Sequence, residues 1–232
     1  SLEPWLAEWD ATASLTPRAL EMARFVDNTA YMLPYGFYLR AMFYNKKLLA
    51  EAGIDGPPST LEEFRAAAEA VSKLAGKYGY CLRGGPGAFG SIQQFLNNMN
   101  GKPGYFNEDG TSTFNEEGSV KGLQMMQDVY MKGWAPKDSI TWGFNELVTG
   151  FYTGTCAMLN QDPDALIGIA EKMNADDFAV APWPVGPNGK AYPALGYAGW
   201  AMLADSPAKQ ESWKVMSFLL DNKQNLGWAF GY

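Results

Sequence analysis

Residues 31–54, YMLPYGFYLRAMFYNKKLLAEAGI, restrict the fold more than any other stretch, because the backbone habit they encode changes within a few residues. Tyr35, Phe37, Tyr38 and Phe43 favour a pleated, half-buried strand, and Pro34 is compatible with one only near its start or at an edge. At Asn45 the pattern turns helical. Asn45 is a good N-cap, Leu48, Leu49 and Ala52 share one face, and Gly53 supplies the stop. A strand feeding directly into a short capped helix is a building block of α/β domains.

The same alternation recurs along the chain. Residues 1–28 read as helical, with Thr16-Pro17 as a start and Trp5, Trp9, Leu15, Leu20 and Phe25 as packing residues. Thr60 and Glu63 form a capping box ahead of Leu61, Phe64, Ala68, Val71 and Leu74 at helical spacing. A strand over 78–82 leads to the loop RGGPGAFG, whose glycines match neither dinucleotide nor nucleoside-triphosphate spacing. A helix over 91–100 carries Ile92, Phe95, Leu96 and Met99. Asp109-Gly110 marks a small hairpin, and the helix after Asn115 is expected to bury Val120, Leu123, Met126 or Gln127, and Tyr130.

Beyond a short helix over 146–152, residues 155–159 read as a buried strand delivering the loop NQDPD. Asp162 there is the expected N-cap, with Pro163 at N1, of a helix using Leu166, Ile169, Ala170 and Met173. A strand over 178–181 runs into PWPVGPNG, and a further strand lies within 194–203. Ser206-Pro207 then opens a helix carrying Val215, Met216, Leu219 and Leu220. The order predicts an α/β fold with a substantially parallel sheet.

The composition excludes several functions. The formal charge of -7 disfavours nucleic acid and anionic lipid, which require clustered Lys and Arg. No apolar run approaches the roughly 20 residues of a membrane-spanning helix, and no cationic, apolar leader opens the sequence, so any export signal is absent from it. With no histidine, the commonest general base and metal ligand are missing, and no cofactor or metal is implied. Cys81 and Cys156 lie in apolar, strand-like runs and read as small buried hydrophobes. A disulfide between them requires neighbouring strands of suitable geometry.

Residues 35–64, YGFYLRAMFYNKKLLAEAGIDGPPSTLEEF, resemble the extracellular solute-binding proteins of bacterial ABC importers, in their sugar-binding, maltose-binding-like cluster. The likeness is carried by Arg40, Tyr44, Asn45, Lys46, Ala52, Gly53, Pro57, Pro58 and Thr60, and continues more loosely to the end of the chain. It implies a periplasmic-binding-protein-like fold of two lobes. Residues 40–193 would form a nearly complete C-terminal lobe. Residues 1–39 and 194–232 would be parts of an N-terminal lobe whose first strands are missing, with hinge crossings near 34–40 and 194–201, so the chain looks like a fragment. It further implies a periplasmic or extracellular location, binding of a carbohydrate or polyol in an interlobe cleft, hinge closure, and delivery to ABC permease subunits without catalysis.

Ligands of α/β proteins sit at the carboxyl ends of strands. That rule selects Tyr38, Arg40, Phe89 in the glycine loop, Gln161, Asp162, Asp164, Trp183, Gly199 and Trp200, with Trp142 and Phe144 able to fold over the same mouth. Aromatic rings cover the C–H faces of a sugar, while guanidinium, amide and carboxylate groups meet its hydroxyls. Trp183, held between two prolines, is expected to face the cleft, and Gly199 to let ligand approach the backbone. Where relatives commonly carry an acidic, ligand-contacting residue this sequence has Tyr38, and Asp162, Pro163 and Asp164 stand where a tryptophan often stacks on sugar. The competing reading is a carbohydrate-active enzyme, a glycoside hydrolase or lyase using Asp162 and Asp164. One intervening residue makes opposed placement around a glycosidic bond hard to arrange. A purely structural or interaction module is the third.

Overall fold

The computed structural model describes residues 1–231, with side chains to residue 229. In chain order the elements are α1 (Glu3–Glu8), α2 (Pro17–Ala23), β1 (Leu33–Leu39), β2 (Ala41–Asn45), α3 (Lys46–Glu51), α4 (Leu61–Val71), β3 (Tyr78–Tyr80) and α5 (Phe89–Asn100). They continue with α6 (Glu117–Met131), α7 (Phe144–Tyr152), β4 (Cys156–Gln161), α8 (Ala165–Lys172), β5 (Phe178–Ala181), β6 (Leu195–Trp200), α9 (Lys209–Leu219) and α10 (Asn222–Gly231). Contacts divide the chain into two compact units, Leu39–Ala194 and the flanking pair Ser1–Tyr38 with Leu195–Tyr232.

The larger unit is a three-layer α/β/α domain. Its sheet has the order β3-β4-β2-β5. Successive residues of a strand point to opposite faces, so Met42 and Met158 enter one core while Phe43 and Leu159 enter the other. The first core is closed by Leu48, Leu49, Leu61, Phe64, Ala68 and Val71 of α3 and α4, with Phe95 of α5 and Val129 of α6. The second is closed by Leu147, Val148 and Phe151 of α7 and Ala165 and Ile169 of α8.

Strand direction departs from the sequence expectation. β2 runs antiparallel to both β4 and β5, and only β3 and β4 form a parallel ladder. Strands β3, β4 and β5 all point the same way, as helix-linked strands should. β2 enters from outside the unit and slots in reversed between β4 and β5, so the sheet is mixed rather than substantially parallel. This reversal puts the start of β2 at the same sheet edge as the ends of the other three strands.

Local signals act largely as read. Asn45 Oδ1 accepts from the Leu48 amide at 3.0 Å, Thr60 Oγ1 from the Glu63 amide at 3.1 Å and Thr16 Oγ1 from the Ala19 amide at 3.2 Å. Glu63 completes its cap one residue early, accepting from the amide and hydroxyl of Ser59, both at 2.7 Å. The Asp109-Gly110 turn joins an antiparallel bridge between Phe106 and Ser112. The stripe of α6 is only partly the one expected: Met126 and Tyr130 pack against the first core, but Val120 is 54% exposed, and Ser119, Gly122 and Val129 are the buried residues. A Cβ on Gly122 would stand 2.5 Å from the Phe95 carbonyl oxygen, so small residues let α6 close on α5. In α8 it is Asp164, not Asp162, that occupies the N-cap position.

Cys81 and Cys156 are bonded as a disulfide, with Cα atoms 5.4 Å apart. The parallel pairing of Tyr78 with Cys156 brings β3 and β4 side by side, which is the condition that spacing alone could not supply.

The smaller unit pairs β1 with β6 and packs Leu2, Leu6, Ala23, Ala30 and Leu33 against Met216 and Leu220. Trp5 and Trp9 close on Trp213, with ring centroids 5.6 and 5.8 Å away. Phe25, expected to pack, is 75% exposed because α2 has already ended at Ala23.

Candidate functional site

The carboxyl ends of β3, β4 and β5 and the amino end of β2 share one edge of the larger unit's sheet. Arg40 immediately precedes β2, Arg83 follows β3, Gln161 ends β4 paired with Ala41, and Asp162 through Asp164 follow it. Arg40 Nε donates to Asp162 Oδ2 at 3.2 Å, with the two side chains only 11% and 22% exposed. Gly90, in the first turn of α5, has no Cβ because the Arg40 guanidinium fills that space. Gln161 Oε1 accepts from the Asp162 amide at 2.9 Å, holding the carboxamide against the loop.

This edge holds several buried polar atoms without partners among the described residues, Arg40 Nη1, Gln161 Nε2, Asp164 Oδ1 and the Tyr105 hydroxyl, while others of the kind, such as those of Asn160, Gln94 and Trp183, lie elsewhere in the larger unit. A native interior rarely leaves such groups unpaired unless a ligand or water meets them. Burial raises Asp164 above the ordinary aspartate range, and the Asp162 carboxylate adds to this, against the pull of the Ala165 amide, Arg40 and Arg83. Burial pushes Arg83 down, with Arg40 acting in the same sense and Asp162, Asp164 and Glu146 opposing. Tyr105 is pushed up to about 12 by burial, although the Arg40 charge pulls it the other way. These mutual influences place two guanidinium groups, two aspartates and a phenol in one electrostatic neighbourhood.

An aromatic face adjoins it. Phe89, 59% exposed, lies with its ring centroid 4.9 Å from Tyr105, which stacks on Phe114 at 5.3 Å. Of the residues selected from sequence, the structure therefore brings together Arg40, Phe89, Gln161, Asp162 and Asp164. Arg83 and Tyr105 were missed. Arg83 opens the glycine loop that was singled out, whereas Tyr105 was read only as part of the hairpin and carried no signal of its own.

Trp183, Trp142 and Phe144 lie elsewhere in the larger unit. Trp183 is 2% exposed and sits among the rings of Phe64, Tyr80 and Phe95, so it is a core residue and not cleft-facing. Its flanking prolines fix the loop, but they turn the indole inward, where the aromatic cluster buries it. The Trp142 ring packs beside Gly150 and lines a different hollow of the larger unit with Tyr78, Asn145, Glu146 and Thr149. Phe144 packs on the core formed by α7 and α8. Tyr38, Gly199 and Trp200 belong to the smaller unit. There the Trp200 ring lies 5.0 Å from Tyr35 and lines a hollow with Tyr35, Leu219, Gln224, Asn225 and Trp228. The Tyr38 hydroxyl reaches that of Tyr35 at 3.5 Å. At Gly199 a Cβ would meet the Met32 side chain and the Leu33 carbonyl, so the space it leaves open is filled from within its own unit.

Aromatic rings beside unsatisfied hydrogen-bonding groups at the carboxyl ends of strands are features that small-ligand sites of α/β domains share. The chain belongs to the bacterial extracellular solute-binding protein family, whose profile it matches over residues 1–226. It is similar to a binding protein of Brucella abortus (strain 2308), 28% identical over 199 residues, 84% of this chain and 47% of that protein. It is also similar to the sn-glycerol-3-phosphate-binding periplasmic protein UgpB of Pectobacterium atrosepticum, 28% identical over 180 residues, 73% of this chain and 38% of that one. A third relative is the galactooligosaccharide-binding protein of Bacillus subtilis, 26% identical over 223 residues, with 91% and 50% covered. The chain thus spans about half the length of the curated relatives it matches.

Among solved structures, an ABC transporter solute-binding protein from Thermotoga lettingae bound with alpha-D-tagatose superposes with a TM-score of 0.81 at 23% identity, covering 99% of this chain and 59% of that one. Another, from Agrobacterium vitis S4 with bound D-mannitol, gives 0.77 at 25% identity, covering 96% and 54%. The α/β fold of the periplasmic-binding-protein type follows. No helix among the described residues is long and apolar enough to cross a membrane.

Proposed function

We propose that this chain binds a carbohydrate or polyol and presents it to the permease of an ABC importer, without making or breaking bonds in it. The observation that carries the reading is the conjunction at one sheet edge: the exposed Phe89–Tyr105 face beside unpartnered Arg40 Nη1, Gln161 Nε2 and Asp164 Oδ1. A ring covers the apolar face of a sugar, and amphiprotic hydroxyls satisfy donors and acceptors together. Relatives named for galactooligosaccharide and neighbours with bound tagatose or mannitol support the same class. The larger unit serves as one lobe and the smaller as part of the other. The Cys81–Cys156 disulfide suits an oxidising compartment outside the cytoplasm.

The enzymatic alternative draws less support. Asp162 is committed to Arg40, and Asp164 follows it on the same loop, whereas glycosidases place two carboxyl groups across a scissile bond. A thermal-shift screen with monosaccharides, disaccharides and sugar alcohols tests the proposal: one class should raise the melting temperature without being consumed. Turnover of any of these compounds, or no stabilisation by all of them, refutes it.

A further inference from the structure

The relatives divide over a chemical question that the sheet edge itself addresses: one is named for a phosphorylated polyol and another for a neutral oligosaccharide. Resting on the reading of this edge as a polyol subsite, we propose that Asp164 makes the site selective for uncharged polyhydroxylated ligands over their phosphate esters. It accepts a ligand hydroxyl and cancels the positive charge that a phosphate would need.

Charge is the first support. Arg40 and Arg83 are balanced by Asp162 and Asp164, and Glu146 is a third carboxylate within electrostatic reach of Arg83. Phosphate recognition calls for a surplus of cationic donors, in which bidentate guanidinium groups dominate. Here the forks are partly spent, Arg40 Nε on Asp162 and Arg83 Nε on the Pro86 carbonyl at 2.7 Å. The second support is position. The amino terminus of α8 is the end of a helix that attracts anions, and its N-cap is Asp164, so a carboxylate already stands where a phosphate would be drawn.

The third is hydrogen-bond complementarity. The unpartnered atoms include two donors, Arg40 Nη1 and the Nε2 of the fully buried Gln161, one acceptor, Asp164 Oδ1, and the Tyr105 hydroxyl, which can act as either. A hydroxyl can accept from a donor of this kind and donate to an acceptor of this kind, so it suits both. A phosphate dianion has no proton for Asp164 and would set like charges together in a partly desolvated site. Asp162 is the weaker candidate for the role, because its Oδ2 already accepts from Arg40 Nε, whereas Asp164 Oδ1 has no partner among the described residues.

The test is titration calorimetry on the protein and on its Asp164→Asn and Asp164→Ala variants, with circular dichroism confirming that each is folded. The probes are D-mannitol and D-tagatose, the phosphate ester of each, and sn-glycerol 3-phosphate. Wild type should bind a neutral probe at least about 10-fold more tightly than its ester. Asp164→Asn should weaken the neutral probe about 10-fold and narrow or invert the preference, because removing the carboxylate removes the repulsion. A wild-type preference for esters, or a neutral-to-ester ratio unmoved in both variants, overturns the inference while leaving a polyol-binding site intact. Failure of every probe to bind wild type overturns the polyol reading itself, and this inference with it.

Discussion

Replacing both Cys81 and Cys156 by alanine should destabilise the larger unit by about 4 kcal/mol. The bond closes a loop between residues 75 apart in sequence. The chain-entropy relation for a loop of that length gives about 4.5 kcal/mol at 25 °C, and native disulfides removed from other proteins typically cost about 2–5 kcal/mol. For a domain of this size, about 4 kcal/mol corresponds to a fall in melting temperature of roughly 8–16 °C. Both half-cystines are fully buried in the core beneath α7 and α8, so the bond should resist mild reductant until the unit opens. Urea unfolding of oxidised, reduced and alanine forms provides the assay. Amide exchange should report the loss locally, at the Tyr78 amide bonded to the Thr155 carbonyl and the Cys81 amide bonded to the Met158 carbonyl. If the double variant loses less than about 1 kcal/mol, with β3 and β4 amides as protected as before, the assignment of a loop-closing role is wrong.

Other consequences follow from single contacts. Gly79→Ala should cost about 2–4 kcal/mol by chemical denaturation, since the new methyl would collide with the Ala68 backbone where β3 packs on α4; near-neutral behaviour would show that this contact can relax. Phe89→Ala, at an exposed ring, should leave the melting temperature within about 2 °C while weakening a bound sugar roughly 10-fold, and unchanged affinity would remove the aromatic face from the site. Glu3 titrates near 2 because Arg24 and the Ala30 amide hold its carboxylate. A depressed folded pKa stabilises above the ordinary glutamate pKa of 4.5 and is lost as pH falls toward 2, so the smaller unit should weaken in acid through that window. The pair is about one-third exposed, so screening limits the effect to about 1 kcal/mol, and Glu3→Gln should flatten it in pH-dependent melts.

The parts of the fold legible in sequence are those governed by neighbours along the chain. Caps at Asn45, Thr60 and Thr16, the Asp109-Gly110 turn and the strand over 178–181 needed only local chemistry. Strand direction needed the rest of the sheet, because nothing in the residues of β2 states which way its partners run. In α6 the expectation held for Met126 and Tyr130 but failed at Val120, because the closest approach to α5 falls at Ser119 and Gly122, where size matters more than hydrophobicity. At the site, Arg40, Gln161, Asp162 and Asp164 were reachable by the rule that ligands meet strand ends. Tyr105 joins them through the tertiary position of the hairpin, which no spacing encodes. Trp183 was misjudged because prolines announce a rigid loop without announcing which way its side chain turns.

The Arg40 amide donates to the Ala194 carbonyl at 3.2 Å, at the two points where the chain leaves the larger unit. Buried amides reinforce that exit: Gln94 Oε1 accepts from the Ala194 amide at 2.9 Å and Asn98 Oδ1 from the Tyr192 amide at 2.7 Å. The pairing of β1 with β6 otherwise demands that an unfolded chain bring together segments on either side of this entire unit, at a high entropic cost of closure. Once residues 39–194 have folded, that span shrinks to one hydrogen-bonded step. Folding of residues 39–194 before β1 meets β6 therefore lowers the closure cost of the discontinuous unit.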